Sequence, residues 1–164
     1  MSEQGKIKVL LPYDESGFSR KIIPQVERLF PSENATLYLL HVLKPQTSLA
    51  QSPRVRYRYG SQSSESNRHQ FDKDGLDSHT RLVKDRLEQE ARHLRRKGYE
   101  VTALLRSGEV IVEIVALIEE EAIEAIAMAT HGYTGVGQLL FGSVAQAVLA
   151  RVAIPVVMLR SDDT

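Results

Sequence analysis

Short apolar runs alternate along this chain with stretches in which apolar residues recur at helical spacing. The runs lie at 7–11, 35–43, 99–105, 123–128 and 154–159. Runs of this length, several of them rich in β-branched residues, are typical of strands buried on one or both faces. The helical patterns lie near 16–30, 74–97, 111–118 and 144–152. Because parallel strands need crossover connections, this alternation predicts an α/β fold with a five-stranded parallel sheet and helices on both faces.

Two stretches interrupt the alternation. Pro24 falls inside the first helical pattern, so the regular helix either begins close to Pro24 or is kinked there. Residues 46–70 lose the apolar periodicity and become rich in Ser, Gln and Arg, which predicts a flexible insertion. Within it, the alternating basic, valine and tyrosine residues 54–59 fit a flap onto phosphates, a nucleic-acid contact or an exposed edge strand. We favour a solvated mobile loop over nucleic-acid binding, because the cluster is short and the net charge is zero.

Two charged triplets lie near predicted helix ends. Arg95, Arg96 and Lys97 precede Gly98. Cations suit the negative end of the helix dipole and glycine can take the left-handed terminal position, so this triplet predicts a helix end rather than a binding patch. The acidic residues 119–121 are interpreted as a solvated face.

The composition narrows the classes of function. The 164 residues fit one domain, 1–164. Lys plus Arg and Asp plus Glu number 21 each, so no overall charge indicates a nucleic-acid or membrane partner. The absence of cysteine excludes disulfides, a thiolate metal site and a cysteine nucleophile. No apolar run approaches the ~20 residues of a membrane helix, and the beginning lacks the apolar core of a signal peptide, so we expect a cytoplasmic protein.

A glycine-bearing segment joins the fourth strand to the last helical pattern. Residues 129–132 read Ala-Thr-His-Gly, and Gly142-Ser143 follow after nine residues. Glycine lets the backbone approach a ligand closely, and the N–H groups at a helix N-terminus favour anions such as phosphate. Asp14 follows the first strand, at its carboxyl end, where it fits either a ligand contact or a turn former and helix cap.

Together these segments resemble a single-domain universal stress protein over nearly the whole chain. The resemblance implies a Rossmann-like, doubly wound fold and a homodimer through the last strand, 154–159; one branch of the family binds ATP and another does not. The matching segments are Pro12-Tyr13-Asp14, Leu40-His41-Val42, the turn 106–109, residues 128–132 with Gly142-Ser143, and the Ile-Pro-Val-Val of the last strand.

One position departs from the family's nucleotide-binding pattern, which is usually glycine, two residues, glycine, nine residues, glycine and then Ser or Thr. This sequence has Ala129 at the first position and keeps Gly132, Gly142 and Ser143. A methyl group there blocks binding only if the position needs a positive φ or direct backbone contact with the nucleotide. The choice between the two branches therefore depends on Ala129.

The resemblance also implies an adenine end and a phosphate end of a site. Asp14 would hold the adenine or ribose, the Val42 backbone would contact the adenine edge, and Pro12 and Tyr13 would line the pocket. Backbone donors of the glycine loop and the Ser143 hydroxyl would hold the phosphates, and Mg²⁺ or Mn²⁺ would arrive with them. The implied nucleotide-binding residues are Pro12, Tyr13, Asp14, Val42, Met128, Ala129, His131, Gly132, Gly142, Ser143 and Val144.

Three functions fit these observations. The leading one is an adenine-nucleotide binding protein, with ATP, ADP or AMP as ligand, that acts as a dimeric stress-response sensor or regulator on an unidentified protein partner. The second is a dimeric interaction module without nucleotide, which Ala129 favours. The third is a slow ATPase, for which His131 and Ser143 are the obvious polar residues. Because the sequence has no distinctive base, arginine finger or Gly-Lys-Ser/Thr signature, we expect at most weak hydrolysis and assign no catalytic residue and no metal ligand.

Overall fold

The computed structural model describes residues 5–14, 18–44, 56–59, 78–131 and 142–161. The strands in these ranges are β1 (Ile7–Pro12), β2 (Ala35–Leu43), β3 (Arg56–Tyr59), β4 (Glu100–Ser107), β5 (Ala125–His131) and β6 (Val156–Ser161). The α-helices are α1 (Ile23–Leu29), α2 (Ser78–Arg96), α3 (Val110–Glu121) and α4 (Ser143–Arg151), and a 3₁₀ helix (Phe18–Ile22) precedes α1. None of these helices combines the length and apolarity that a membrane crossing demands.

The strands form one sheet in the order β3-β4-β2-β1-β5-β6. The five predicted strands are confirmed and run parallel to one another. The additional strand β3 is antiparallel to β4, with Arg56 opposite Arg106 and Tyr59 opposite Ala103. Residues 56–59 form an edge strand, which was one of the alternatives for 54–59, and are not the loop that was preferred to nucleic-acid binding. The physical reason is that tyrosine favours strands and β4 would otherwise present an open edge.

Pro24 lies in the first turn of α1. The chain forms a 3₁₀ helix up to Ile22 and a regular helix from Ile23. A proline in the first turn costs little, because that turn's N–H groups have no partner within the helix. Of the two alternatives for this pattern, a helix that begins close to Pro24 is correct.

Helices cover both faces of the sheet, as predicted. On β1, Val9 and Leu11 point to one face and Leu10 points to the other. The first face packs against α1 and α2, mainly through the buried residues Val26, Val83, Leu87, Ala91 and Leu94. The second face packs against α3 and α4, mainly through Ile114, Leu117, Ala145 and Val148. The carboxyl ends of the parallel strands therefore emerge between two layers of helices.

The two charged triplets both lie at helix ends. Gly98 ends α2 with φ +94° and donates its N–H to the Arg95 carbonyl at 2.9 Å, so the predicted helix end is confirmed. Residues 119–121 end α3 on a face that is exposed at Glu119 and Glu120 and half-buried at Glu121, in agreement with their interpretation as a solvated face, and two of them also make side-chain contacts. Glu120 accepts a hydrogen bond from a buried arginine at 2.6 Å, and Glu121 accepts one from the Tyr38 hydroxyl at 3.3 Å. The last turn of α3 lies over the sheet, which brings these carboxylates against β4 and β2.

Candidate functional site

The strand order reverses at β1. It pairs with β2 on one side, where Leu11 lies opposite Leu39, and with β5 on the other, where Val9 lies opposite Ala125. Open α/β sheets bind ligands in the crevice outside the carboxyl ends of their strands at such a point. The residues that follow β1, β2 and β5 are therefore the ones to test as a site.

The end of β1 is held firmly against β2. Pro12 lies opposite Leu40, and the N–H of Tyr13 donates to the Leu40 carbonyl at 2.7 Å. The Tyr13 side chain is buried, with its ring tilted against His41 at 6.5 Å between centroids. Asp14 is exposed. A fixed backbone at Tyr13 thus presents the Asp14 carboxylate at the edge of the sheet.

The end of β2 is fixed by the turn that follows β4. Val42 is half-buried and lies opposite Arg106, and the next carbonyl, that of Leu43, accepts the N–H of Gly108 at 3.0 Å. Gly108 has φ +151°, and a Cβ at this position would lie 3.0 Å from Oε1 of Glu113. Only glycine fits this turn without strain, so the turn 106–109 supports the backbone at Val42.

The end of β5 brings Met128 and Ala129 beside β6. Met128 is buried opposite Met158, and Ala129 is half-buried opposite Leu159. Among the described residues that are not glycine, a positive φ occurs at Ala122, so the strand conformation at Ala129 needs no glycine. The Ala129 methyl packs against the core beneath α1 and α2. Of the two conditions under which a methyl group at position 129 would block binding, the need for a positive φ therefore does not apply.

The N-terminus of α4 carries three of the residues that were expected to bind nucleotide. Gly142 is the N-cap, with φ −54° and ψ 156°, and no described atom lies within 4 Å of a Cβ built there. Ser143 is exposed and Val144 is half-buried. The first turn of α4 contains no acidic residue that would oppose an anion at the positive end of the helix dipole. His131 ends β5 opposite Ser161, and Gly132 lies outside the described residues.

Two ion pairs, each with a buried glutamate, were not predicted from the sequence. Arg20 Nε lies 2.8 Å from Oε2 of Glu90, and Arg106 Nη1 lies 3.5 Å from Oε2 of Glu113. The pKa of Arg20 is raised above its ordinary value, first by Tyr13 and then by Glu90. The sequence did contain a feature that could have indicated these pairs, namely a glutamate among the core-facing residues of each helical pattern. Glu90 follows Leu87 by three residues, and Glu113 directly precedes Ile114.

These features define a class of protein: a doubly wound α/β domain with polar and glycine residues gathered at the carboxyl edge, around the strand where the order reverses. Residues 7–160 match the sequence profile of the universal stress protein family. The chain belongs to that family, and the resemblance found in its segments is confirmed.

Relatives match the chain along nearly all of its length. Universal stress protein MJ0577 of Methanocaldococcus jannaschii is 24% identical over 153 residues, 93% of this chain and 94% of the relative. The solved structure of MJ0577 has a TM-score of 0.68 at 22% identity, over 96% of this chain and 98% of that one. A universal stress protein in complex with cAMP gives 0.60 at 14% identity, over 97% and 100%. An Arabidopsis thaliana family protein with AMP bound gives 0.55 at 15% identity, over 95% and 92%. At these identities the solved structures establish a shared fold.

Proposed function

We propose that this chain binds adenine nucleotides, ATP foremost, in the crevice outside β1, β2 and β5, and acts as a homodimeric stress-response sensor or regulator. The observation that carries the proposal is the reversal of strand order at β1, with Asp14 after β1 and a helix, α4, whose first turn has no acidic residue, following β5 on the other side. Such a crevice suits a ligand with a ring and sugar at one end and phosphates at the other.

The adenine end of the proposed site is formed by the ends of β1 and β2. Asp14 accepts hydrogen bonds from the ribose or adenine, and the backbone at Val42 contacts the adenine edge. Pro12 and Tyr13 line this end, and Met128 lies at the neighbouring strand end. The rigid backbone between Tyr13 and Leu40 supports these roles, because preorganised groups lose little freedom on binding.

The phosphate end is formed by the α4 N-terminus. Backbone donors around His131, Gly132 and Gly142 and the Ser143 hydroxyl hold the phosphates, and Val144 begins the helix that supplies the dipole. Within the described ranges no three His, Asp or Glu side chains gather as a metal site. Mg²⁺ or Mn²⁺ in this proposal is held by the nucleotide phosphates, which is the usual mode for Mg²⁺.

The relatives support the ligand class. One family protein was solved with AMP and another with cAMP, two ligands that share adenine, ribose and a phosphate. We expect purified protein to bind adenine nucleotide with a dissociation constant on the order of micromolar, typical of a site that exchanges with cellular metabolite. Identification of the nucleotide released by denaturing the purified protein, followed by calorimetry with ATP, ADP and AMP, tests this directly.

Gly142 offers a sharp test of where the phosphates lie. Asp and Asn are both good N-caps and nearly equal in volume, and no described atom lies within 4 Å of a Cβ built at Gly142, so we expect both Gly142→Asp and Gly142→Asn to leave α4 folded. The added carboxylate repels phosphate, whereas the amide does not. We expect Gly142→Asp to bind ATP at least about tenfold more weakly than Gly142→Asn, with a smaller ratio for AMP. Equal affinities of the two variants for ATP would place the phosphates elsewhere.

The second strand edge supports the dimer. The strand β6 is apolar at Val156, Val157, Met158 and Leu159, and these side chains are half-buried at the edge of the sheet. Such an edge favours pairing with a second copy of the chain. Sedimentation of the wild-type chain tests this part of the proposal, and a monomer at all concentrations would contradict it.

A dimeric interaction module without nucleotide stays the second candidate, because Ala129 departs from the nucleotide-binding pattern. Ala129→Gly separates the two. A wild-type chain that binds no nucleotide while Ala129→Gly gains binding would favour the module. A slow ATPase would require phosphate release that falls in Ser143→Ala or His131→Ala; release unchanged in both would indicate a contaminating activity.

A further inference from the structure

Arg20 joins two parts of the fold that are far apart in the sequence. It lies in the 3₁₀ helix that precedes α1, with its Nε 2.8 Å from Oε2 of Glu90 on α2. Its Nη2 also donates to the hydroxyl of Tyr13 at 3.4 Å. Tyr13 directly follows β1 and precedes Asp14. One guanidinium therefore links α2 to the end of β1 that the proposed adenine site uses.

The carboxylate of Glu90 holds this guanidinium in place. Glu90 is buried on α2, in the same helical row as the core residues Leu87 and Leu94. A buried carboxylate is costly unless it is paired, so the Glu90 side chain strongly favours a conformation in which Arg20 neutralises it. The far side of Arg20 faces a cleft of about 390 Å³ between α1 and α2. Arg20 is thus anchored at one end and open to water on the other.

Tyr13 is held at three points. Its N–H donates to the Leu40 carbonyl, its ring lies against His41, and its hydroxyl accepts from Arg20. The first two contacts fix the backbone and the plane of the ring, and the third fixes the depth of the ring beneath the edge of the sheet. Since Asp14 is the next residue, the position of Tyr13 determines where the Asp14 carboxylate lies.

We propose that Arg20 is a positioning residue for the adenine end of the site: with Glu90 as its anchor, it holds Tyr13 and thereby Asp14 in the geometry that binds the nucleoside. This proposal rests on the proposed nucleotide function for its ligand. The positioning itself is a property of the chain and can be measured without any ligand.

The test compares adenosine, AMP and ATP on the wild-type chain and three variants. Arg20→Met removes the cation at similar length, Tyr13→Phe removes the hydroxyl and keeps the ring, and the third variant combines them. We expect each single change to weaken binding about threefold to tenfold, by the same factor for all three ligands, because the contact supports the nucleoside end. The double variant should bind each ligand no more weakly than the single variant of lower affinity, since the two single changes remove the same interaction.

Phosphate dependence distinguishes positioning from simple attraction. A loss in Arg20→Met that grows from adenosine to ATP would show that the cation attracts phosphates directly, and it would overturn the proposal. So would unchanged affinity, or additive losses in the double variant. The exposed cation Lys6 provides the control, since Lys6→Met removes one positive charge far from Tyr13 and should leave all three affinities unchanged.

Hydrogen exchange separates failure of this proposal from failure of the nucleotide function. In Arg20→Met the Tyr13 N–H, which is bonded to Leu40, should exchange faster than in the wild-type chain, and it should do so without ligand. If the wild-type chain binds no adenine ligand while this exchange still rises, the positioning holds and the nucleotide function fails. Unchanged exchange would contradict the positioning whatever the chain binds.

Discussion

Two glutamates occupy core-facing helix positions on opposite faces of the sheet, and each is neutralised by an arginine in a different way. Glu90 has a side chain 7% exposed, and its partner Arg20 is 52% exposed. Glu113 is 1% exposed, and its partner Arg106 is 4% exposed. The chemistry of the two pairs is the same, but water reaches one and is excluded from the other.

The closed pair is part of a larger network that reaches the surface at Glu120, whose side chain is 37% exposed. Arg106 Nη1 donates to the Glu113 carbonyl at 3.3 Å, and Nη2 donates to Glu120 at 2.6 Å. Its Nε has no hydrogen-bond partner in the described part of the chain. Because water cannot solvate the buried side chains of Arg106 and Glu113, removing either one leaves the charge of the other without compensation. The comparison indicates that the two pairs differ in role because their cations differ in burial. The buried Arg106 contributes mainly to the stability of the fold, whereas the exposed Arg20 can also contact a residue of the proposed site, Tyr13.

The largest effect is expected when the closed pair is broken on one side. Arg106→Met leaves the Glu113 carboxylate buried without its cation, and we expect a loss of about 3–5 kcal/mol in the free energy of unfolding. Urea denaturation at neutral pH measures it. Replacing both buried partners, as Arg106→Met with Glu113→Gln, should restore much of the loss, because no buried charge is left uncompensated and the remaining carboxylate, Glu120, is 37% exposed to water. A double variant less stable than Arg106→Met alone would show that the pair stabilises the fold beyond mutual neutralisation.

The open pair should show a smaller effect in the same measurement. Arg20→Met exposes Glu90 to a cleft that water can enter, so we expect a loss of about 1–2 kcal/mol. Glu90→Gln should cost no more, since the amide can still accept from Arg20. If Arg20→Met were as costly as Arg106→Met, solvent access would not explain the difference between the pairs.

The fold was predictable from the sequence because its signals are local. The parallel strands are continuous apolar runs, and Pro24 and Gly98 mark helix ends by their own backbone chemistry. The edge strand β3 was one of several alternatives for its segment and could not be singled out, since its composition also matches that of a loop and its strand conformation depends on pairing with β4. Tertiary pairing overrode a local preference there.

The candidate site divides in the same way. The positions of Asp14, Val42 and Gly142 at one edge follow from the rule that the carboxyl ends of parallel strands meet. The partners Arg20 and Arg106 could not be assigned, because many arginines in the sequence are equally available to a buried glutamate. What the sequence did contain was the glutamate itself at a core-facing position, and such a residue requires a cation from elsewhere in the fold.

The smallest effect is expected at an exposed pair that completes the comparison. Lys6 Nζ lies 2.8 Å from Oε1 of Glu100, with side chains 31% and 65% exposed. Lys6→Met should lower the free energy of unfolding by less than about 1 kcal/mol, because water already stabilises both ions and salt screens them. Urea denaturation in low and high salt measures this. If Lys6→Met and Arg20→Met lowered the free energy of unfolding equally, the burial of Glu90 would not strengthen the Arg20–Glu90 pair.

The pH dependence of the Lys6–Glu100 pair has a definite sign. The hydrogen bond from Lys6, and then its charge, hold the pKa of the Glu100 carboxylate below its ordinary value of 4.5. Because the folded pKa is the lower one, the contribution is present above the ordinary value and is lost as pH falls through the folded value. The difference in stability between wild type and Lys6→Met should therefore disappear in acid below that range. A difference that persists there would show that the Lys6 stem packs against the sheet and that its charge contributes little.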